Sequence, residues 1–239
     1  MVHAPRRKSS KPVVGGAESR RTAARIVCHR RVWRAPLALY NPSVEVERSP
    51  GFDPKRPVAS AAAVLRAVLL APKSFYLNFP AEGPLREPIL FVLLVSAVSA
   101  VLRLLLVLIF STEGAGEAGI AVLETIAYVA LSPLLVGLFS GAYLLSVRTF
   151  VGPEGNFRQI YRMLAYAWAG AILFWIPGVG AFAFTYVTLV LMAIGIWYVY
   201  RTSFLTALVT ALVGYVPAAI FYLLLILLGV FALDLSSGA

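Results

Sequence analysis

Chemistry-bearing side chains are scarce in this sequence. Among 239 residues there is one cysteine, Cys28, and there are two histidines, His3 and His29. A lone cysteine excludes an intramolecular disulfide and any CxxC zinc module. Neither histidine lies in or near a long apolar run, and HExxH, GxSxG and Walker motifs are missing. Charge is equally short: 13% of residues are Asp, Glu, Lys or Arg, against about 25% in soluble domains. Glu124 lies inside an apolar run with no second embedded carboxylate to share a proton, since Asp234 sits at the far end. No catalytic, cofactor-binding or metal-binding residue can be nominated, so the chain is not expected to be an enzyme or to take a cofactor.

What is abundant is apolar surface: 60% of residues are hydrophobic and the mean hydropathy is +0.83. Runs of about 20 apolar residues follow one another, the length that a bilayer rather than a soluble core demands. The expected fold class is an all-α membrane protein: a five-transmembrane-helix bundle with a disordered basic N-terminal tail and a short amphipathic interfacial helix. The formal charge of +10 belongs to the tail, because 16 of the 21 Lys and Arg fall within residues 1–87. Beside membrane spans such an excess points to anionic lipid headgroups rather than to nucleic acid.

Residues 1–57 mix Arg, Pro, Ser and Gly without apolar periodicity, a composition that favours a disordered cytoplasmic tail. The start has no apolar h-region and is not a secretory signal; its Arg-rich, acid-poor character leaves an organellar transit peptide as the other reading. Residues 58–87 read as an amphipathic juxtamembrane helix and linker, the helix lying at the cytoplasmic interface or packing under the bundle. Ala61, Val64, Leu65, Val68 and Leu69 recur at helical spacing before Pro72, and Phe75, Tyr76 and Phe79 are expected at headgroup depth. The membrane domain is placed at 88–234, with spans at about 88–110, 119–147, 157–176, 179–200 and 205–232 and no internal repeat.

The loops test this count, because Lys and Arg near span ends should fall on alternate sides. The first loop has none, the second carries Arg148, Arg158 and Arg162, the third has none, Arg201 sits in the fourth, and the C-terminus has none. Five spans with the N-terminus cytoplasmic and the C-terminus outside satisfy every boundary. Arg148, Arg158, Tyr161, Arg162 and Arg201 are therefore the candidates for the cytoplasmic interface. Arg158 and Arg162 are expected to snorkel to headgroups while Tyr161 and Tyr166 fill the bundle or the belt, and Tyr161, Tyr198 and Tyr200 near the span ends agree with an aromatic belt.

Ionisable groups inside spans are functional-site hypotheses by default. Arg103 and Glu124 fall at similar depth on antiparallel neighbours, so they read either as an ion pair pinning the first two spans or as an intramembrane ion or proton site. Pro133 and Pro217 lie deep in the second and fifth spans, as in kinked structural helices or in transporter sites. Gly137 and Gly141 form a GxxxG on the second span, a motif that permits close helix approach.

The stretch FRQIYRMLAYAWAGAILFWIPGVGAFAFTY, residues 157–186, resembles the Yip-domain family of Rab-GTPase-interacting membrane proteins in its bacterial form. LLAPKSFYLNFP at 69–80 is similar to its juxtamembrane segment, LREPILFVLLVSAVSAVLRLLL at 85–106 to its first span, and GPEGNFRQIYRMLAYA at 152–167 to its glycine turn and Tyr-Arg helix start; IPGVG at 176–180 matches the following hairpin. The resemblance covers about residues 64–230 and implies five spans and a cytoplasmic N-terminus. In eukaryotic members it implies binding to prenylated Rab GTPases and a part in vesicle traffic. No partner-binding residue carries over, because the Asp-Leu-Tyr-Gly-Pro signature is missing before the first span, and Trp168 and Ala169 stand where a proline is often found. Arg-over-Lys and Ala-rich usage resembles a high-GC bacterium.

These expectations combine into a non-catalytic multi-pass scaffold or adaptor in a bacterial inner membrane. Its partners would be the bilayer, anionic headgroups, an unknown protein and another copy in a homo-oligomer; the alternative is a small transporter or channel subunit using Glu124 and Arg103. The sidedness is testable: in a Cys28→Ser background, a cysteine at Gly116 should react with a membrane-impermeant maleimide in intact cells. Labelling of Gly116→Cys only after access from the cytoplasm would reverse the topology.

Overall fold

A computed structural model describes residues 49–110 and 115–237; the tail before residue 49 and the tip of the first loop lie outside the described residues. No strand occurs among the described residues. Helices α1 (Pro57–Leu70) and α2 (Pro72–Leu77) precede the long α3 (Arg86–Phe110) and α4 (Ala115–Phe150). Then come α5 (Phe157–Ala167), which tightens into a 3-10 helix at Trp168–Leu173, and α6 (Gly180–Thr185), which runs through a π-helical turn at Tyr186–Leu191 into α7 (Met192–Val199). The last is α8 (Phe204–Ser237).

Local chemistry sets the ends of these helices. Pro57 and Pro72 each stand in a first turn, where the missing N–H costs no hydrogen bond. The Asn156 side chain caps α5 by accepting the Arg158 backbone N–H at 3.0 Å. Inside α4, Pro133 cannot bond the carbonyl one turn back, and the Ser132 hydroxyl donates to that Val129 carbonyl at 2.9 Å instead.

Among the described residues, four helices are long and apolar enough to cross a membrane: Arg86–Phe110, Ala121–Phe150, Gly180–Val199 and Phe204–Phe221. The chain is thus an integral multi-pass membrane protein. The remaining expected span, 157–176, is a shorter composite of 11 α-helical and 6 3-10 residues. At about 1.5 Å and 2.0 Å per residue it reaches about 28 Å, close to the hydrocarbon thickness of about 30 Å. The tighter winding lets a short segment travel far.

This composite is the interior of the bundle. Every residue from Ile160 to Ala171 is buried, and the returning Gly180–Val199 helix is 50% buried over its most apolar window, against 17% for α4. The 3-10 helix and α5 lie against α3, and α5 also against α4, while α4 and α7 both lie against α8. Two hydrogen bonds cross this shell: the Trp168 indole N–H donates to Ser96 Oγ at 3.1 Å, and the Tyr143 hydroxyl donates to the Thr188 carbonyl in the π-helical turn.

Three expectations change here. The tail was expected to extend to residue 57, yet Ser49–Arg56 is docked on the bundle: Phe52 is buried and its ring lies 5.9 Å from that of Phe91. Phe75 and Tyr76 are core residues rather than headgroup anchors, because α1 uses Ala61, Val64 and Val68 to seat itself on the bundle and carries α2 inward. Of the two readings for Tyr161, bundle or belt, the structure gives the bundle: Tyr161 is buried and donates to the Pro133 carbonyl at 3.3 Å, which removes it from the cytoplasmic surface.

The close helix approaches do not occur at the GxxxG pair. A Cβ on Gly141 would meet nothing, and one on Gly137 would make an ordinary contact with Tyr161 at 3.7 Å. Tight places are Gly170, where an added Cβ would lie 2.6 Å from Val187 Cγ2, and Gly214, where it would overlap the Tyr143 ring. Gly214→Ala should therefore cost about 1–3 kcal/mol of stability through overpacking, read as a lower thermal midpoint in detergent. Gly141→Ala should leave that midpoint unchanged; equal behaviour of the two variants would refute the packing assignment.

Candidate functional site

The most constrained polar group in the described chain is Arg162, on the second turn of α5. Its side chain is 2% exposed. Nε donates to the Pro80 carbonyl at 2.9 Å, Nη1 to the Pro84 carbonyl at 3.0 Å, and Nη2 lies 3.5 Å from Glu87 Oε2. The planar guanidinium thus grips the loop between α2 and α3 from three directions, a use of its fixed donor fork that a lysine cannot copy. Gly83 makes this fit: its φ is +134°, and a Cβ there would lie 2.8 Å from Arg162 Nη1.

One turn further along α5, Tyr166 collects the aromatic side chains. Its ring centroid lies 5.8 Å from Phe75, 6.2 Å from Phe79 and 5.5 Å from Phe91, with edge-on or tilted geometries. The Arg162 guanidinium carbon stands 5.8 Å from the same ring. Its hydroxyl accepts the Phe52 backbone N–H at 3.5 Å, and Ser49 Oγ donates to the Phe75 carbonyl at 2.7 Å, which ties down the base of the tail. Burial pushes the neighbouring Tyr76 phenol well above its usual range, so it stays neutral and donates to the Met163 carbonyl at 3.4 Å.

The expected interface residues separate here. Arg158 and Arg201 are exposed, the latter in a left-handed turn conformation with φ 50°. Arg148 is exposed too, and its Nε reaches the Gly155 carbonyl at 3.4 Å. Arg162 does not snorkel, and Tyr161 is buried; both were read as surface groups because the carbonyls and helices that cover them lie far away in the chain. Arg103 and Glu124 come within 3.7 Å of each other, but on the outside of the bundle, with side chains 63% and 60% exposed. They share no buried site with Ser96 and Thr188, whose hydroxyls are bonded inside the bundle. Thr185 bonds the Tyr215 hydroxyl at 3.2 Å.

The Arg162 clamp joins the α2–α3 linker and the first turn of α3 to α5. The Yip1 domain family model matches residues 66–228. This chain belongs to the Yip1 domain family. No curated protein and no solved structure matches it significantly. Within this Yip1 domain the whole clamp falls inside the matched region, whereas the Ser49–Phe52 strap precedes it.

Sequence reasoning missed Gly83, Glu87 and Phe52. A glycine and three prolines within PAEGPLREP did mark a segment rich in unbonded carbonyls, the acceptor set that a buried arginine needs. Replacing Arg162 by Ala in this Yip1 domain should cost about 3 kcal/mol, because Glu87 and two carbonyls lose their donor. Arg162→Lys should recover part of that loss, and Gly83→Ala should mimic it by forcing the guanidinium aside. Thermal midpoints in detergent check the order; an Arg162→Ala protein as stable as the parent would refute the clamp.

Proposed function

We propose that this Yip1 domain protein is a non-catalytic scaffold or adaptor whose basic end rests on anionic lipid headgroups and offers its 148–162 segment to a protein partner. The observation that carries this reading is a division among the arginines at that end. Arg162 is consumed internally, while Arg148 near the end of α4, Arg158 at the start of α5 and Arg201 in the turn between α7 and α8 remain exposed. A rigid surface held by an internal clamp suits docking, since little ordering remains to be done on binding.

Alternation of Lys and Arg between loops supports placing this end in the cytoplasm and the C-terminus outside, and residue usage supports a bacterial inner membrane. A part in organising membranes, like that of eukaryotic relatives in vesicle traffic, is an analogy from the family. Transport is disfavoured because Ser96 is bonded by Trp168, the Thr188 hydroxyl donates to the Phe184 carbonyl, and Glu124 pairs with Arg103 on the outside, so these groups do not converge on one site.

Anionic phospholipid in nanodiscs should raise the thermal midpoint relative to zwitterionic lipid. Changing Arg148, Arg158 and Arg201 to Gln should remove about 3 kcal/mol of that gain, at about 1 kcal/mol per surface arginine, and high salt should have the same effect. A lipid response that survives the triple substitution would sink the headgroup role. A proton or solute flux in reconstituted vesicles, lost on Glu124→Gln, would replace the adaptor reading with transport.

A further inference from the structure

On α3 and α4 the buried residues lie toward the basic end. On α3 the outermost buried residue is Ala100, and on α4 it is Ser132; between Val101 and Leu131 no described residue is buried. The outer stretches of α3 and α4, helices that lie against one another, form a ridge with Val101, Leu105 and Ile109 on α3 and Leu123 and Ile126 on α4 exposed. Such a ridge could simply meet lipid. Arg103 and Glu124 change that expectation, because they sit within it, 3.7 Å apart and more than half exposed.

An ion pair in a membrane ordinarily faces the bundle interior, since hydrocarbon solvates neither charge. Here the interior is already filled by the α5 and α6–α7 hairpin, and the pair is left on the outer ridge. One cation and one anion side by side, on adjacent helices, form a surface complementary to itself. A two-fold axis through the ridge sets Arg103 of one copy against Glu124 of the other and repeats the contact in reverse, as closed symmetric interfaces require. Four charges then alternate in sign in a site from which lipid is excluded, and the flanking apolar side chains pack against their counterparts.

We propose that the outer α3–α4 ridge is a homodimer interface in the membrane, with Arg103 and Glu124 exchanging partners between two copies of this chain. The contact is independent of the headgroup reading, since it uses the opposite end of the bundle and none of Arg148, Arg158 and Arg201.

Two differently tagged full-length copies, co-expressed and solubilised in mild detergent, should co-purify. Arg103→Glu carries two acids on its ridge and Glu124→Arg two bases, so either variant expressed in both tagged forms should lose co-purification about tenfold. Pairing tagged Arg103→Glu with tagged Glu124→Arg should restore it, a rescue that contacts within one chain cannot give. Oxidative crosslinking in native membranes guards against misfolded charge variants: in a Cys28→Ser background, Ile126→Cys should yield a disulfide-linked dimer and Leu212→Cys on α8 should not. Parent copies that fail to co-purify, charge variants that still do, a mixed pair without rescue, or equal crosslinking at both positions would each overturn the proposal.

Discussion

The arrangement depends on one buried guanidinium. Arg162 sits where the interior helix α5 begins, and it bonds groups 75 to 82 residues earlier in the chain. Its charge is tolerable because Glu87 balances it and two proline-rich-loop carbonyls occupy its donors. In return the α2–α3 linker is held against α5, which fixes the entry of α3 and carries α1 and α2 onto the bundle. Tyr166, on the same face one turn later, extends this hold through Phe75, Phe79 and Phe91 to the Ser49–Phe52 strap.

Away from that end, helices meet as membrane helices commonly do, through small residues and internally paired polar groups rather than through a hydrophobic driving force. Gly170 and Gly214 admit Val187 and the Tyr143 ring. The Tyr143 hydroxyl reaches a carbonyl in the π-helical turn, linking α4 to the returning helix just where that helix is irregularly wound. Such turns concentrate at functional positions in many proteins; here the irregular carbonyl is occupied by a structural partner.

The distribution of charge divides the molecule into three zones with different uses. At the basic end Arg148, Arg158 and Arg201 are exposed, in the middle Trp168 bonds Ser96, and on the outer ridge Arg103 and Glu124 lie 3.7 Å apart.

Composition and periodicity sufficed for the fold class, the placement of α3, α4, α6–α7 and α8, and the Yip1 domain resemblance. These properties are local: hydropathy adds residue by residue along a helix, and family motifs are contiguous. The same local reasoning misplaced Arg162 and Tyr161 at the surface, Phe75 and Tyr76 at headgroup depth, and the strap at 49–56 in the tail. It also credited Gly137 and Gly141 with a closeness found at Gly170 and Gly214. Whether an arginine is exposed, or a glycine crowded, depends on what distant segments bring beside it, and only the tertiary structure decides that. Arg158 and Arg162 look alike four residues apart in sequence, yet one faces solvent and the other is enclosed by a loop some eighty residues away.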